Sequence, residues 1–155
     1  MSGIFKAYDI RGIYPTDLDA SMAEAIGRAY IEFTGAKKVV VGRDMRPHSE
    51  PLFAALAKGM TGQGADVIDI GMSSTPQSYF ANGTLKADGS VMITASHNPG
   101  EWNGFKLCKA NAVPISGATG IMPRSDRTDA RRTGAPSFTG YKRTSRRRTR
   151  LPSRG

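Results

Sequence analysis

The sequence predicts an α/β fold, a mixed sheet in three α/β/α layers, followed by a disordered basic tail. Three observations carry this. Short β-branched runs alternate with helix-spaced apolar positions over the first 120 or so of the 155 residues. That length leaves room for one core of ordinary size. The charge is also unevenly placed: residues 1–121 hold 11 basic and 11 acidic side chains, so the whole formal excess of +9 lies in residues 122–155.

Residues 4–8, Ile-Phe-Lys-Ala-Tyr, alternate as a first strand and run into a loop at Asp9-Ile10-Arg11-Gly12. A helix follows from its N-cap Asp19, with Met22, Ile26, Ala29 and Phe33 on one stripe and Gly35 as its stop. Val39-Val40-Val41 has the composition of a strand buried on both faces. Ser49 is the expected cap of a second helix, with Pro51 in its first turn and Leu52, Leu56 and Met60 on its apolar face; Gly59, Gly62 and Gly64 read as stop glycines. Residues 67–70 form a third strand, 76–82 a short helix, 91–93 a fourth strand and 105–108 a weaker fifth. In such sheets ligands sit beyond the carboxyl ends of the strands, so the loops after Tyr8, Val41, Ile70 and Ile93 are expected to share one rim.

The character changes after Ile121. Arg, Ser, Thr, Pro and Gly dominate, no period survives, and too little apolar surface remains to offset chain entropy. The domain division is therefore 1–121 and 122–155. Ten of the eleven basic residues in the second segment are Arg, as in GC-rich coding DNA read out of frame; a tail that grips nucleic acid nonspecifically through phosphates, centred on Arg146-Arg147-Arg148, is the alternative. The single cysteine, Cys108, cannot form an internal disulfide, and no apolar run approaches the roughly 20 residues of a membrane span, so a cytoplasmic protein without a membrane partner is expected.

The densest polar cluster, Thr94-Ala95-Ser96-His97-Asn98-Pro99-Gly100, follows the fourth strand at that rim. Residue types leave two readings open: a serine that acts as a nucleophile or carries a phosphate, or an Asn-Pro turn with a serine cap. A hydrolase nucleophile elbow needs glycines two positions either side of the serine, where Thr94 and Asn98 stand. No Gly-x-x-x-x-Gly-Lys-Ser/Thr or Gly-x-Gly-x-x-Gly element is present, so nucleotide binding has no fingerprint. Arg43 and Arg46 read as loop-bracing charges, with Asp44 between them as a local ion-pair partner.

Four segments together resemble the α-D-phosphohexomutases, in particular their bacterial phosphomannomutase/phosphoglucomutase branch: Tyr8-Asp9-Ile10-Arg11-Gly12, Val41-Gly42-Arg43-Asp44-Met45-Arg46, the stretch 94–99, and Asn103-Gly104-Phe105-Lys106. They occur in the order of that family's first domain. The resemblance implies reversible phosphoryl transfer between the C1 and C6 oxygens of a hexose phosphate, with Ser96 as the phosphoserine and a hexose 1,6-bisphosphate as intermediate. It matches His97 and Lys106 to proton transfer and charge stabilisation, and Tyr8 and Arg11 to the substrate site. It also implies Mg²⁺, to which Ser96 would contribute through its phosphate. The family's Asp-Gly-Asp-x-Asp-Arg magnesium loop, its Gly-Glu-Met-Ser-Gly sugar loop and its Arg-x-Ser-x-Thr-Glu-Pro phosphate clamp, which belong to three further domains, do not occur in this sequence. A truncated or frameshifted first domain, inactive by itself, is the expectation. Residues 116–121 look like the start of a closing helix whose apolar face never arrives, which would leave the sheet uncovered near Val113 and Ile115.

Overall fold

The computed structural model describes residues 3–6 and 8–115 and the backbone of two further short stretches. Eight elements build the domain: β1 (Ile10–Ile13), α1 (Ala20–Thr34), β2 (Lys38–Arg43), α2 (Ser49–Thr61), β3 (Asp66–Met72), α3 (Thr75–Thr84), β4 (Gly89–Ile93) and β5 (Trp102–Lys109). The sheet order is β1-β5-β4-β2-β3. Strands β2, β3 and β4 are parallel, β5 runs antiparallel to β4, and β1 antiparallel to β5.

The chain path sets the layers. From β2 it steps outward to β3 through α2, then returns past β2 to β4 through α3. Right-handed crossovers in opposite directions place their helices on opposite faces. The strand alternation agrees: Val91 and Ile93 join the core beside Leu52, Leu56 and Ile26, whereas Ser90 on the other face accepts a hydrogen bond from Asn82 of α3. Tyr30 and Phe105, both fully buried, are the largest side chains of that core.

Helix α1 forms as its sequence dictates. The Asp19 side chain accepts from the Met22 amide at its start, and Gly35 closes it in the left-handed conformation with φ 68°. It packs on α2 through two glycines: a methyl on Gly27 would strike the Leu56 carbonyl, and one on Gly59 the Glu24 carbonyl. Gly59 is therefore a packing position inside α2 and not a stop. Gly62 is the C-cap, and Gly64, with φ 80°, makes the turn beyond it.

Other sequence expectations are corrected. The first strand is Ile10–Ile13, which overlaps the segment expected to be a loop; of the described residues among 4–8 only Phe5 makes a bridge, to Ile10. The antiparallel partner β5 decides this, because it places Ile10 opposite Phe105 in the core. For the same reason it is the loop after Ile13, not one after Tyr8, that leaves β1 at its carboxyl end. The fifth strand runs to 8 residues because its first half, 102–105, pairs with β1 and its second half, 105–109, with β4. The N-cap of α2 is His48, without a side-chain cap bond, and the Ser49 hydroxyl is used elsewhere. The short helix reaches from Thr75 to Thr84 behind a reciprocal capping box of Ser74 and Gln77. Ile115 is buried and its amide bonds the Leu107 carbonyl at 2.8 Å, so only Val113, 53% exposed, meets solvent at the expected uncovered face.

The expected helix start at 116–121 lies outside the described residues, as does most of 122–155. Within that segment the backbone of Met122–Pro123 pairs antiparallel with Phe138–Thr139.

The glycine positions generate one prediction, tested by a pair of variants, and a hydrogen-bonded carboxylate generates another. Gly59→Ala should destabilise the domain by about 1–3 kcal/mol in a urea melt, because the clash is with backbone and outweighs the helix-propensity gain of about 1 kcal/mol. Gly83→Ala in α3, where a methyl has open space, should stabilise by roughly 0.5–1 kcal/mol. The second concerns Asp88, whose carboxylate accepts from the Lys37 and Lys38 amides at 2.9 Å each and is thereby held below its ordinary value of 3.8. A depressed folded value gives stability that is present above the unfolded value and lost as pH falls through the folded one. Asp88→Asn should flatten the acid limb of the stability curve below about pH 4 and leave the neutral limb's slope unchanged.

Candidate active site

The Ser96 loop leaves β4 at its carboxyl end, where the Thr94 amide still bonds the Gly104 carbonyl of β5 at 3.0 Å. Ser96 is exposed and has φ 58°, a left-handed conformation that costs a non-glycine residue about 1–2 kcal/mol. The Thr94 hydroxyl accepts its amide at 2.9 Å, and its own Oγ lies 3.3 Å from His97 Nδ1. Ser96 and His97 are thus brought together as a hydroxyl and imidazole pair facing solvent.

The second half of the site lies on the antiparallel edge. Register places Lys106 opposite Met92 of β4 and Arg11 opposite Gly104. Arg11 lies across β5 because Gly104 has no side chain; a methyl there would come within 3.1 Å of Arg11 Cγ and would strike the Ile10 carbonyl. Asp9 joins the two cations, its Oδ2 lying 2.8 Å from Arg11 Nη2 and 3.5 Å from Lys106 Nζ. Among the described residues no hydrogen bond links this cluster to the Ser96–His97 pair. Tyr8, the remaining sequence-predicted site residue, is 77% exposed and stands apart from both groups.

Below the serine loop runs a polar chain that sequence reasoning missed. Asn103 is fully buried; its Oδ1 accepts the Gly104 amide at 2.8 Å, which fixes the amide orientation. Its Nδ2 then donates to Ser49 Oγ at 2.9 Å and to His48 Nδ1 at 2.8 Å. His48 must therefore carry its proton on Nε2, which lies 3.0 Å from the Gly100 carbonyl. Its ring stacks on Tyr14 at 4.9 Å between centroids. Ser49 donates to Asp44 Oδ1 at 2.6 Å, and Asp44 in turn holds Arg46 at 3.2 Å. The only sequence signal was the recurrence of polar residues beside the rim loops, which does not say that they meet.

Asp44 does not brace both arginines. Arg43 pairs with Glu50 at 2.5 Å and Asp69 at 2.6 Å and stacks over the Phe53 ring. Burial acts to raise the Asp69 carboxyl, but the hydrogen bonds from Arg43 and the Gly71 amide hold it below its ordinary range. A cleft of about 290 Å³ opens between the ends of β2 and β3, lined by Arg43, Arg46, Met45 and Met72 among others. Both arginines there are already committed to carboxylates.

Magnesium does not fit the described residues taken alone. No three His, Cys, Asp or Glu side chains among them converge to hold a metal ion, and Asp9 is engaged by two cations. One phosphoserine oxygen cannot fix an octahedral ion.

Fold and site together define a three-layer α/β/α domain that presents a serine–histidine loop at the carboxyl rim of its parallel strands, beside a carboxylate-bridged arginine and lysine. Residues 2–131 match the family model described as phosphoglucomutase/phosphomannomutase, alpha/beta/alpha domain I. The chain is similar to a phosphomannomutase of Klebsiella pneumoniae, 53% identical over 117 residues that cover 76% of this chain and 74% of that protein. It is likewise 53% identical over 117 residues to the Escherichia coli K12 phosphomannomutase, covering 76% of this chain but 26% of that protein. A solved phosphoglucomutase/phosphomannomutase family protein from Burkholderia thailandensis superposes with a TM-score of 0.68 at 41% identity, covering 74% of this chain and 27% of that one. The chain belongs to the phosphoglucomutase/phosphomannomutase family and corresponds to its first domain. It spans about a quarter of the Escherichia coli relative. Nothing in these matches supports the nucleic-acid reading of the basic tail, and no described helix is long and apolar enough to cross a membrane.

Asn103→Ala should cost about 2 kcal/mol in a urea melt, because it strands the Gly104 amide and removes the donor that Ser49 and His48 share. A loss under about 0.5 kcal/mol would show that the polar chain under the serine loop is not cooperative.

Proposed function

We propose that this chain supplies the phosphoserine half of a hexose-phosphate mutase site, with Ser96 as the residue that gives and recovers the phosphoryl group. The observation that carries the reading is the placement of Ser96: exposed, at the strand rim, in a left-handed conformation and 3.3 Å from an imidazole nitrogen. An Asn-Pro turn with a serine cap would direct the hydroxyl at the chain's own amides; here the Thr94 hydroxyl takes the Ser96 amide and Oγ stays outside.

In the forward step the bond between phosphorus and Ser96 Oγ breaks and one to a sugar hydroxyl oxygen forms. The proton leaving that hydroxyl goes to a base, and one returns to Oγ; His97 is the imidazole within reach of Oγ. The sugar, now a 1,6-bisphosphate, turns and returns its other phosphoryl group by the same exchange. Phosphoryl transfer demands positioned cations for the equatorial oxygens more than covalent chemistry from the protein. Lys106 and Arg11, on adjoining strands and bridged by Asp9, would supply those cations, and the exposed Tyr8 ring would meet substrate. The hexose phosphate and its bisphosphate are the partners of this site. Mg²⁺, whose ligands must come largely from outside the described residues, would neutralise phosphoryl charge when bound.

A chimera tests the reading: residues 1–115 of this chain replace the matching segment of the Escherichia coli relative. Interconversion of hexose 1- and 6-phosphates is expected, with phosphate on the Ser96 peptide after incubation with hexose 1,6-bisphosphate and Mg²⁺. Ser96→Ala should lower kcat at least about a thousandfold. Retained turnover in Ser96→Ala, or label on a different serine, would sink the assignment.

A further inference from the structure

We propose that Arg46 is a positioning residue for Ser96: its guanidinium collects the carbonyls of the serine loop and so fixes the outward, left-handed presentation of the serine. The proposal rests on the phosphoserine reading for its functional meaning and on geometry for its content. A guanidinium has five N–H donors and no acceptor. Here each has one partner. Nη1 donates to the carbonyls of Pro99 at 2.6 Å and Trp102 at 2.9 Å. Nη2 donates to those of Ser96 at 3.1 Å and Asn98 at 2.7 Å. Nε donates to Asp44 Oδ2 at 3.2 Å. The side chain is only 12% exposed, so this saturation occurs where water cannot readily substitute.

Two consequences follow. Four carbonyl oxygens that converge on one point fix their peptide planes, and a chain so held is over-determined enough to keep Ser96 at φ 58° against its intrinsic preference. The same inward rotation also takes four partial negative charges off the face where a phosphoserine would carry close to two negative charges. Arg46 thus serves the anion without touching it, having no N–H left to offer. A lysine, with three donors and no planar fork, cannot replace it.

Nuclear magnetic resonance on the full 155-residue chain tests the geometry without any phosphoryl chemistry. In the unmodified protein the Arg46 guanidinium should show separate, slowly exchanging Nη1 and Nη2 signals, since five bonds stop its rotation. One averaged signal overturns the proposal, and this measurement needs no variant to fold. In Arg46→Lys, Ser96 should lose the chemical shifts of a left-handed residue. The amides of 97–103 should exchange roughly tenfold faster, the equivalent of about one net hydrogen bond, while β2 and β4 stay protected. Millimolar guanidinium added to Arg46→Ala should restore the Ser96 shifts. Ser96 keeping its left-handed shifts in both variants overturns the proposal. In the chimera, Arg46→Lys should lower kcat with little change in KM, which separates positioning from substrate binding. Loosening of the loop combined with undiminished turnover in Ser96→Ala would overturn the phosphoserine reading and leave the clamp's geometry standing.

Discussion

A loop that leaves a strand and does not enter a helix has no ladder to satisfy its carbonyls, and in this domain one guanidinium takes four of them, those of Ser96, Asn98, Pro99 and Trp102. The cation is affordable in a nearly closed position because Asp44 neutralises it and every N–H is paired. Asp44 is in turn fixed by the Ser49 hydroxyl, Ser49 by Asn103, and Asn103 by the Gly104 amide. The conformation of the serine loop is thereby coupled to the first turn of α2 and to the start of β5. Residues far apart in sequence share one set of donors and acceptors, and removing a middle member leaves both neighbours unsatisfied.

The sheet supplies the other half of the site by reversing direction. Parallel strands β2, β3 and β4 bring their carboxyl ends to one rim, which alone would collect loops and little else. Adding β5 and β1 antiparallel lays two strand interiors alongside that rim, so side chains in regular structure take part. Period-two alternation then sorts them: Ile10 and Phe105 enter the core, while Arg11 and Lys106 face the opposite side with Asp9 between them. A cation held on a strand loses less freedom on meeting an anion than one on a mobile loop, which is the physical advantage of this arrangement.

Much of this was legible in the sequence where the signal is local. Asp19, the stripe through Phe33 and Gly35 define α1 without reference to any other part of the chain, and Val39-Val40-Val41 marks a strand buried on both sides. The failures occur where a distant partner decides. Residues 4–8 carry the local strand signal and 9–12 that of a loop, yet pairing with β5 selects 10–13. Gly59 resembles a stop glycine until α1 is laid against it. Ser49 has the identity of a cap, yet its hydroxyl is drawn to Asp44. Ser96, His97, Lys106 and Arg11 stood out as chemistry-bearing residues in short segments. His48, Asn103 and the wider role of Arg46 did not, because a hydrogen-bond chain between loops has no period or spacing to display.

The electrostatics of the site set the order in which an anion can be met. Among the described residues the arginines and the lysine named at this site are already paired: Arg43 with Glu50 and Asp69, Arg46 with Asp44, Arg11 and Lys106 with Asp9. A phosphoryl group therefore gains attraction only by taking a cation from a carboxylate. Arg11 holds Asp9 through both Nε and Nη2, each 2.8 Å from the one oxygen Oδ2, so two contacts must break to release it. Lys106 meets the same carboxylate at 3.5 Å, through a single flexible ammonium that is 27% exposed. If Ser96 carries the phosphoryl group, as proposed, Lys106 is the cation freer to leave Asp9, while Arg11 stays held. On the phosphoserine reading, that division gives the two cations distinct roles: one mobile charge that follows the phosphoryl group and one fixed charge that the substrate must come to.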